Sequence, residues 1–138
     1  MKIIICGSIS AADEIIRVKK ELESMGHVVE IPEGVKRPEL RSVDTTTSLE
    51  RADVKIKHNL IREYYEKIKN YDIVLIVNPE KNGIKGYVGG NTFIEMAFGY
   101  VLNKKIYCLY PLPELSYKDE MIAMQPIILN GMLDKLNS

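Results

Sequence analysis

The 138-residue sequence predicts a single α/β domain built on a parallel sheet. Two observations carry this reading. Five short runs rich in Ile and Val, at residues 3–6, 28–31, 73–77, 106–109 and 127–129, mostly lack polar alternation, as strands covered on both faces do. Stretches of helical periodicity separate them, so successive strands are joined by crossovers, and such crossovers are right-handed.

Each element has its own signal. After the first strand, Ser10 and Asp13 are spaced to cap a helix. Ile15, Val18, Leu22 and Met25 mark one face of that helix, and Gly26 ends it. The second strand leads into residues 32–48, a polar stretch with Pro32, Gly34, Pro38 and three threonines at 45–47. A long helix is expected over residues 49–70, with Ile56, Leu60, Tyr64 and Ile68 on its buried face. The third strand is followed by residues 78–90, which hold four glycines. A third helix starts near Asn91 and carries Phe93, Met96, Ala97, Tyr100 and Val101, with Lys104 and Lys105 near its C-terminal end, where positive charge is favoured. Residues 117–124 read as a fourth helix, and the chain from Gly131 onward as a fifth. Both long loops follow strands. They therefore belong at the carboxyl edge of the sheet, where open α/β sheets bind ligands.

Composition narrows the function. Lys plus Arg balances Asp plus Glu at 19 each, with no basic stripe, so no nucleic-acid partner is expected. The apolar runs are far too short for a membrane span and the N-terminal one too short for a signal peptide, so no membrane partner is expected and the protein reads as cytoplasmic. Cys6 and Cys108 lie inside apolar runs and read as small buried hydrophobes in a reducing compartment. There is no phosphate-binding P-loop, no dinucleotide fingerprint and no metal-ligand spacing, so neither a cofactor nor a metal is expected. The only histidines, His27 and His58, read as surface residues.

The chemistry that remains centres on residues 83–99. Gly89 and Gly90 can let the backbone approach a ligand and take unusual dihedrals, and the helix that follows offers free N–H groups at Asn91 and Thr92. Glu95 is expected in the first turn of that helix, where the dipole keeps a carboxylate ionised and suited to nucleophilic attack. Gly99, four residues on, is expected to open space beside it. The same letters also fit a capping box, in which Glu95 bonds back to the backbone of Thr92. A second candidate is the turn after the first strand, where Gly7, Ser8, Ile9 and Ser10 offer small side chains and hydroxyls to a ribose or phosphate. The same turn also fits a plain capped strand-to-helix connection. Asn78, which opens the glycine-rich loop, is counted with the substrate-binding residues.

Cys6-Gly7-Ser8-Ile9 after an initial strand, Asp72 opening the third strand, and Gly90-Asn-Thr-Phe-Ile-Glu95 followed by a strand from Lys105 resemble the nucleoside 2-deoxyribosyltransferase superfamily. That superfamily includes deoxynucleoside 5′-monophosphate N-hydrolases. The resemblance spans residues 2–129 and rests on short motifs. It implies a flavodoxin-like, Rossmann-like three-layer sandwich with a five-stranded parallel sheet, and a homodimer or higher even homo-oligomer. It also implies that a glutamate, here Glu95, attacks the anomeric carbon of a nucleoside or nucleotide. The pattern departs in two places. Members carry a second acid eight residues before the aspartate that opens the third strand, and here that position is Tyr64, with Glu63 and Glu66 out of register. The nucleotide hydrolases place a serine before the glutamate for the 5′-phosphate, where this chain has Gly89, Gly90, Asn91 and Thr92.

The resemblance thus implies cleavage of an N-glycosidic bond, by hydrolysis or base transfer, with Tyr64, Asn91 or a group from a partner subunit orienting the substrate. The alternatives are a non-catalytic nucleotide-binding or sensor module on the same fold, and a flavodoxin-like protein of another kind. Residues 120–126, with Asn130, are apolar with a few polar handles and read either as core or as an interface that completes a neighbour's pocket.

Overall fold

The computed structural model describes residues 1–37 and 59–137, together with Leu49, Ala52, Asp53 and Ile56. Strands β1 (Lys2–Cys6), β2 (Val28–Glu30), β3 (Ile73–Ile76), β4 (Lys105–Cys108) and β5 (Ile127–Ile128) form one sheet in the order β2-β1-β3-β4-β5, and every pairing is parallel. Each lies within one residue of its expected bounds. This is the flavodoxin-like order, whose topological switch point falls between β1 and β3. Cys6 pairs with Ile76 at the carboxyl end of that junction.

Strand alternation divides the core in two. Ile3 and Ile5 of β1, with Ile73 and Leu75 of β3, pack on one face with Ile15, Val18 and Leu22 of α1 (Ala12–Ser24). Ile4 and Cys6, with Val74 and Ile76, pack on the other face with Tyr64 and Ile68 of α3 (Leu60–Ile68) and Met96 of α4 (Gly90–Val101). Both faces are apolar because both are covered, which is why the strand runs lack alternation in the sequence.

Several local expectations change. The cap before α1 is not Ser10 or Asp13 but Ser8, whose hydroxyl accepts the Ser10 N–H at 3.1 Å and starts a 3-10 turn over Ile9–Ala11. That turn runs directly into α1, so the position before the helix is Ala11, without a side-chain cap. The connection after β2 begins with a short helix, α2 (Glu33–Lys36), while residues 38–48 lie outside the described ones, as does His58. Of the expected face on the long helix, Tyr64 and Ile68 are buried, but Ile56 is 76% exposed. His27 is buried, not on the surface, and the N-terminal amine lies 3.1 Å from its Nδ1. The fourth helix is α5 (Lys118–Ala123), and the expected fifth is a 3-10 helix, Leu133–Asn137.

Gly99 has a packing explanation. A Cβ there would sit 2.7 Å from Val74 Cγ2, so the glycine lets α4 settle on β3 and opens no space for a ligand. The C-terminal segment is divided: Met121, Leu129, Leu133 and Leu136 belong to the core, whereas Ile122, Ile127 and Met132 are exposed. A clearer apolar stripe lies on α4. Ile94 and Val101 are exposed, and the half-buried Ala97 and Phe98 stand between them at helical spacing. Tyr65 of α3 meets Phe98 edge-on, with ring centroids 5.0 Å apart. Among the described residues no helix is long and apolar enough to cross a membrane.

Candidate active site

Three buried polar side chains converge below the carboxyl ends of β1 and β3. Glu95 is the sixth residue of α4, and it is 8% exposed. It lies in the second turn, not the first, so the dipole that is strongest at the first turn acts on it less than expected. The capping box is absent. The N-cap is Gly89, Thr92 lies inside the helix, and the first intrahelical bond runs from Phe93 N–H to Gly89 O at 2.9 Å. A capping box needs its Thr at the N-cap with extended dihedrals, and Thr92 does not meet that condition. Glu95 therefore points into the domain from a helix that does not use it as a cap.

What it meets there is Cys6 and Tyr64. The Cys6 thiol is fully buried at the end of β1, close enough to Glu95 for that carboxylate to act on its ionisation. Burial above all, then the neighbouring Glu95 carboxylate, push the thiol well above its ordinary range, so it stays protonated. The Tyr64 hydroxyl donates to the carbonyl of Ile5, one residue before Cys6. Burial first, then Cys6 and Glu95, push the phenol upward too, with smaller contributions from Glu30 and Glu33. Those two glutamates belong to a charged group at the same edge. Lys67 of α3 pairs with both, Lys36 pairs with Glu30, and Arg37 holds Glu33 at 3.0 Å. Cys6 is buried, as its place in an apolar run implies. Both cysteines are free and buried.

The turn after β1 forms the wall of a second feature. Ser8 and Ser10 share a hydroxyl–hydroxyl bond and line a cavity of about 180 Å³ with Val77, Pro79, Lys81 and Tyr87. The Lys81 ammonium stands 5.3 Å from the centre of the Tyr87 ring. Gly7 brings this turn against β3, because a Cβ there would come within 3.0 Å of the Val77 carbonyl. Ile9 is turned away, packing on Gly34 of α2, where a Cβ would meet its Cδ1 at 2.7 Å. A larger, mostly apolar recess of about 390 Å³ adjoins this cavity, with Pro79 and Glu80 common to both and Tyr110 and Leu112 beyond.

The glycine-rich loop is a built structure. Asn82 (φ 51°) and Gly83 (φ 79°) form the tip of a two-residue hairpin closed by reciprocal bonds between Lys81 and Ile84. Gly86 has φ 68°, and a Cβ there would lie 2.0 Å from the Pro111 carbonyl oxygen. Gly89, by contrast, is extended at φ −79°, and neither it nor Gly90 adopts a positive φ, so the unusual dihedrals expected of that pair are absent. Gly90 and Asn91 are exposed at the start of α4 and Thr92 is buried.

The expected substrate-binding residues therefore fall into groups. Glu95 and Tyr64 come together, as do Ser8 and Ser10. Asn78 is fully buried, and its amide is committed to backbone: Nδ2 donates to the carbonyls of Gly86, Tyr110 and Pro111, and Oδ1 accepts from Tyr110 N–H at 3.0 Å. That commitment removes it from the candidate ligand contacts. Asn130 is exposed at φ 52° after β5, three strands from β1, or about 14 Å by strand spacing. Cys6, Lys81 and Tyr87 were missed. Cys6 shares the period-two face of Ile4 at the strand end nearest the switch point, which is the signal that could have found it. Among the described residues no group of three or more His, Cys, Asp or Glu could hold a metal ion.

No family model matches the sequence, and no curated protein does. The fold is similar to that of a CMP N-glycosidase from Clostridium botulinum, BcmB, with a TM-score of 0.51 at 17% identity over 99% of this chain and 98% of that one.

Proposed function

We propose that the protein cleaves the N-glycosidic bond of a nucleoside or nucleoside 5′-monophosphate, with Glu95 as nucleophile. The observation that carries the reading is the placement of Glu95. A carboxylate is buried at the switch point of a flavodoxin-like sheet and off any capping box. The likeness in fold to a CMP N-glycosidase supports the same class of reaction. In the first step a Glu95 oxygen bonds to the anomeric carbon as the carbon–nitrogen bond breaks, and the electron pair leaves with the base, which takes a proton from solvent. In the second, water attacks the same carbon, the ester bond to Glu95 breaks, and a proton is released. A second base in place of water gives transfer.

The position of the family's second acid holds Tyr64, whose proton is engaged by the Ile5 carbonyl. We assign Tyr64 to shaping the site, and Ser8 and Ser10, with the α4 start at Gly89, Gly90, Asn91 and Thr92, to the sugar or phosphate. Incubation with a panel of nucleosides and 5′-monophosphates, followed by chromatography for free base, tests the reading. Binding without release of base would sink it in favour of the non-catalytic module.

Ser8→Asp refines the test. Aspartate is as good an N-cap as serine, so the turn into α1 should survive with an unchanged melting temperature. The new carboxylate would stand on the wall of the 180 Å³ cavity and repel a phosphate. Affinity for 5′-monophosphates should fall about tenfold or more while that for nucleosides changes little. Equal affinity of wild type and variant for monophosphates would remove the phosphate from this turn.

We further propose a cytoplasmic homodimer or higher even oligomer, in which Asn130 completes a partner's site. The exposed Ile94 and Val101 stripe on α4 supports self-association, as most soluble homo-oligomers close by symmetry. Light scattering at micromolar concentration should return twice the chain mass or an even multiple, and a monomer would overturn the assembly.

A further inference from the structure

We propose that Lys81 is the specificity-determining residue of the site, its ammonium pairing with the 5′-phosphate of a nucleotide seated in the cavity walled by Ser8 and Ser10. The protein then prefers nucleoside 5′-monophosphates to nucleosides. The inference rests on the reading of that turn as the sugar or phosphate contact, and it adds the positive charge that the turn lacks.

The cavity has the right place. Ser8 stands two residues past the end of β1, and Val77 directly follows β3, the neighbouring strand across the switch point. Tyr87, on the same wall, ties the cavity to the helix that carries Glu95. Its ring lies against Gly89, the N-cap of α4, where a Cβ would come within 3.3 Å of the ring's Cε1. The cavity therefore adjoins the helix start from which Glu95 is held.

The charge is also right. A phosphate monoester carries about two negative charges at neutral pH. Ser8 and Ser10 are neutral, and their hydroxyls already bond each other. Lys81 is the cation on this wall. It is half-buried and, among the described residues, forms no ion pair, whereas Lys36 and Lys67 are held by Glu30 and Glu33. Glu80 lines the same cavity but is exposed. Two contacts hold Lys81 in place. Its backbone is fixed by the reciprocal hairpin bonds to Ile84, at 3.1 and 2.9 Å, and its ammonium stands 5.3 Å from the centre of the Tyr87 ring. A ring face attracts a cation through its quadrupole and leaves the ammonium hydrogens on the other side free to donate. A lysine so placed serves a phosphate as a fixed point charge.

Ribose 5-phosphate is the probe, because it carries sugar and phosphate but no base, so calorimetry reads binding without turnover. The wild type should bind it about tenfold or more tightly than ribose. Lys81→Met keeps the side chain's length and the hairpin's backbone bonds and removes only the charge. It should weaken ribose 5-phosphate about tenfold or more at an unchanged melting temperature, and Lys81→Arg, which keeps the charge, should restore most of the loss. In turnover, Lys81→Met should raise KM for 5′-monophosphates by a similar factor with kcat nearly unchanged, as loss of uniform binding does. Equal affinity of wild type and Lys81→Met for ribose 5-phosphate, or no binding of it by the wild type, overturns the inference. If Ser8→Asp weakens the probe and Lys81→Met does not, the inference alone fails and the turn keeps its phosphate. A Lys81-dependent contact with ribose 5-phosphate in a protein that releases no base from any nucleotide supports the inference and sinks the glycosidase reading alone.

Discussion

Glu95→Gln is expected to reduce release of base by about 10³-fold or more while substrate still binds and the melting temperature holds. The size follows from the chemistry. A carboxamide is a poor nucleophile, and with the covalent route closed only the much slower direct attack of water remains. The control is cleaner than the sequence suggests. Glutamine would preserve a capping box if there were one, but α4 starts at Gly90 behind a Gly89 cap, and Glu95 takes no part in it. The substitution therefore leaves the helix start untouched. The Cys6 thiol should also titrate lower than in the wild type, because one cause of its rise is the Glu95 charge. Separate measurements of free base, ligand binding and melting distinguish the cases. Full activity in the Gln variant, on a substrate the wild type cleaves, removes Glu95 from the nucleophile's role.

The sheet was legible because both of its faces are buried. Ile3, Ile4, Ile5 and Cys6 form a continuous apolar run only because α1 covers one face and α3 and α4 the other. Strand order was not readable from the runs themselves. It entered through the family resemblance, and the observed β2-β1-β3-β4-β5 order agrees with it. Helix starts were less legible. Ser8, Ser10 and Asp13 are all good caps by composition, and the choice among them depends on a 3-10 turn that no periodicity reports. Gly99 was read as space for a ligand because helical glycines are costly, whereas its cause is a β3 neighbour, Val74, distant in sequence.

The site was legible where chemistry is local. Ser8 and Ser10 line one cavity because they are two residues apart on one turn. Glu95 was legible as a carboxylate just after the glycine-rich loop, near the start of a helix, and it is buried there. Contacts between elements were not legible. Nothing in the spelling of Ile5-Cys6-Gly7 says that the thiol meets a residue of α4, and Lys81 reaches the Ser8 cavity through a hairpin set by Asn82 and Gly83.

Asn78 is where a polar loop residue was read as a ligand contact, and its replacement is expected to give the largest loss of stability. Its amide joins the loop after β3 to the loop after β4 by four bonds: Nδ2 to Gly86 O (3.2 Å), Tyr110 O (3.0 Å) and Pro111 O (3.4 Å), and Tyr110 N–H to Oδ1 (3.0 Å). The two loops are already pressed together at Gly86, where a Cβ would reach 2.0 Å from Pro111 O, so they have little room to rearrange and find new partners. Asn78→Ala leaves the Tyr110 N–H and several carbonyls short of partners and should cost about 3 kcal/mol. Asn78→Asp is the sharper variant. It keeps the shape and can still accept from Tyr110 N–H, but it turns a carboxylate oxygen toward three carbonyl oxygens in a fully buried place. At neutral pH it should therefore melt below Asn78→Ala, although it is the more conservative change in size. A ligand-contacting asparagine predicts the reverse, with both variants melting near the wild type and only affinity altered. Urea melts of the three proteins at pH 7 decide between them, and an Asp variant as stable as wild type would return Asn78 to the list of substrate contacts.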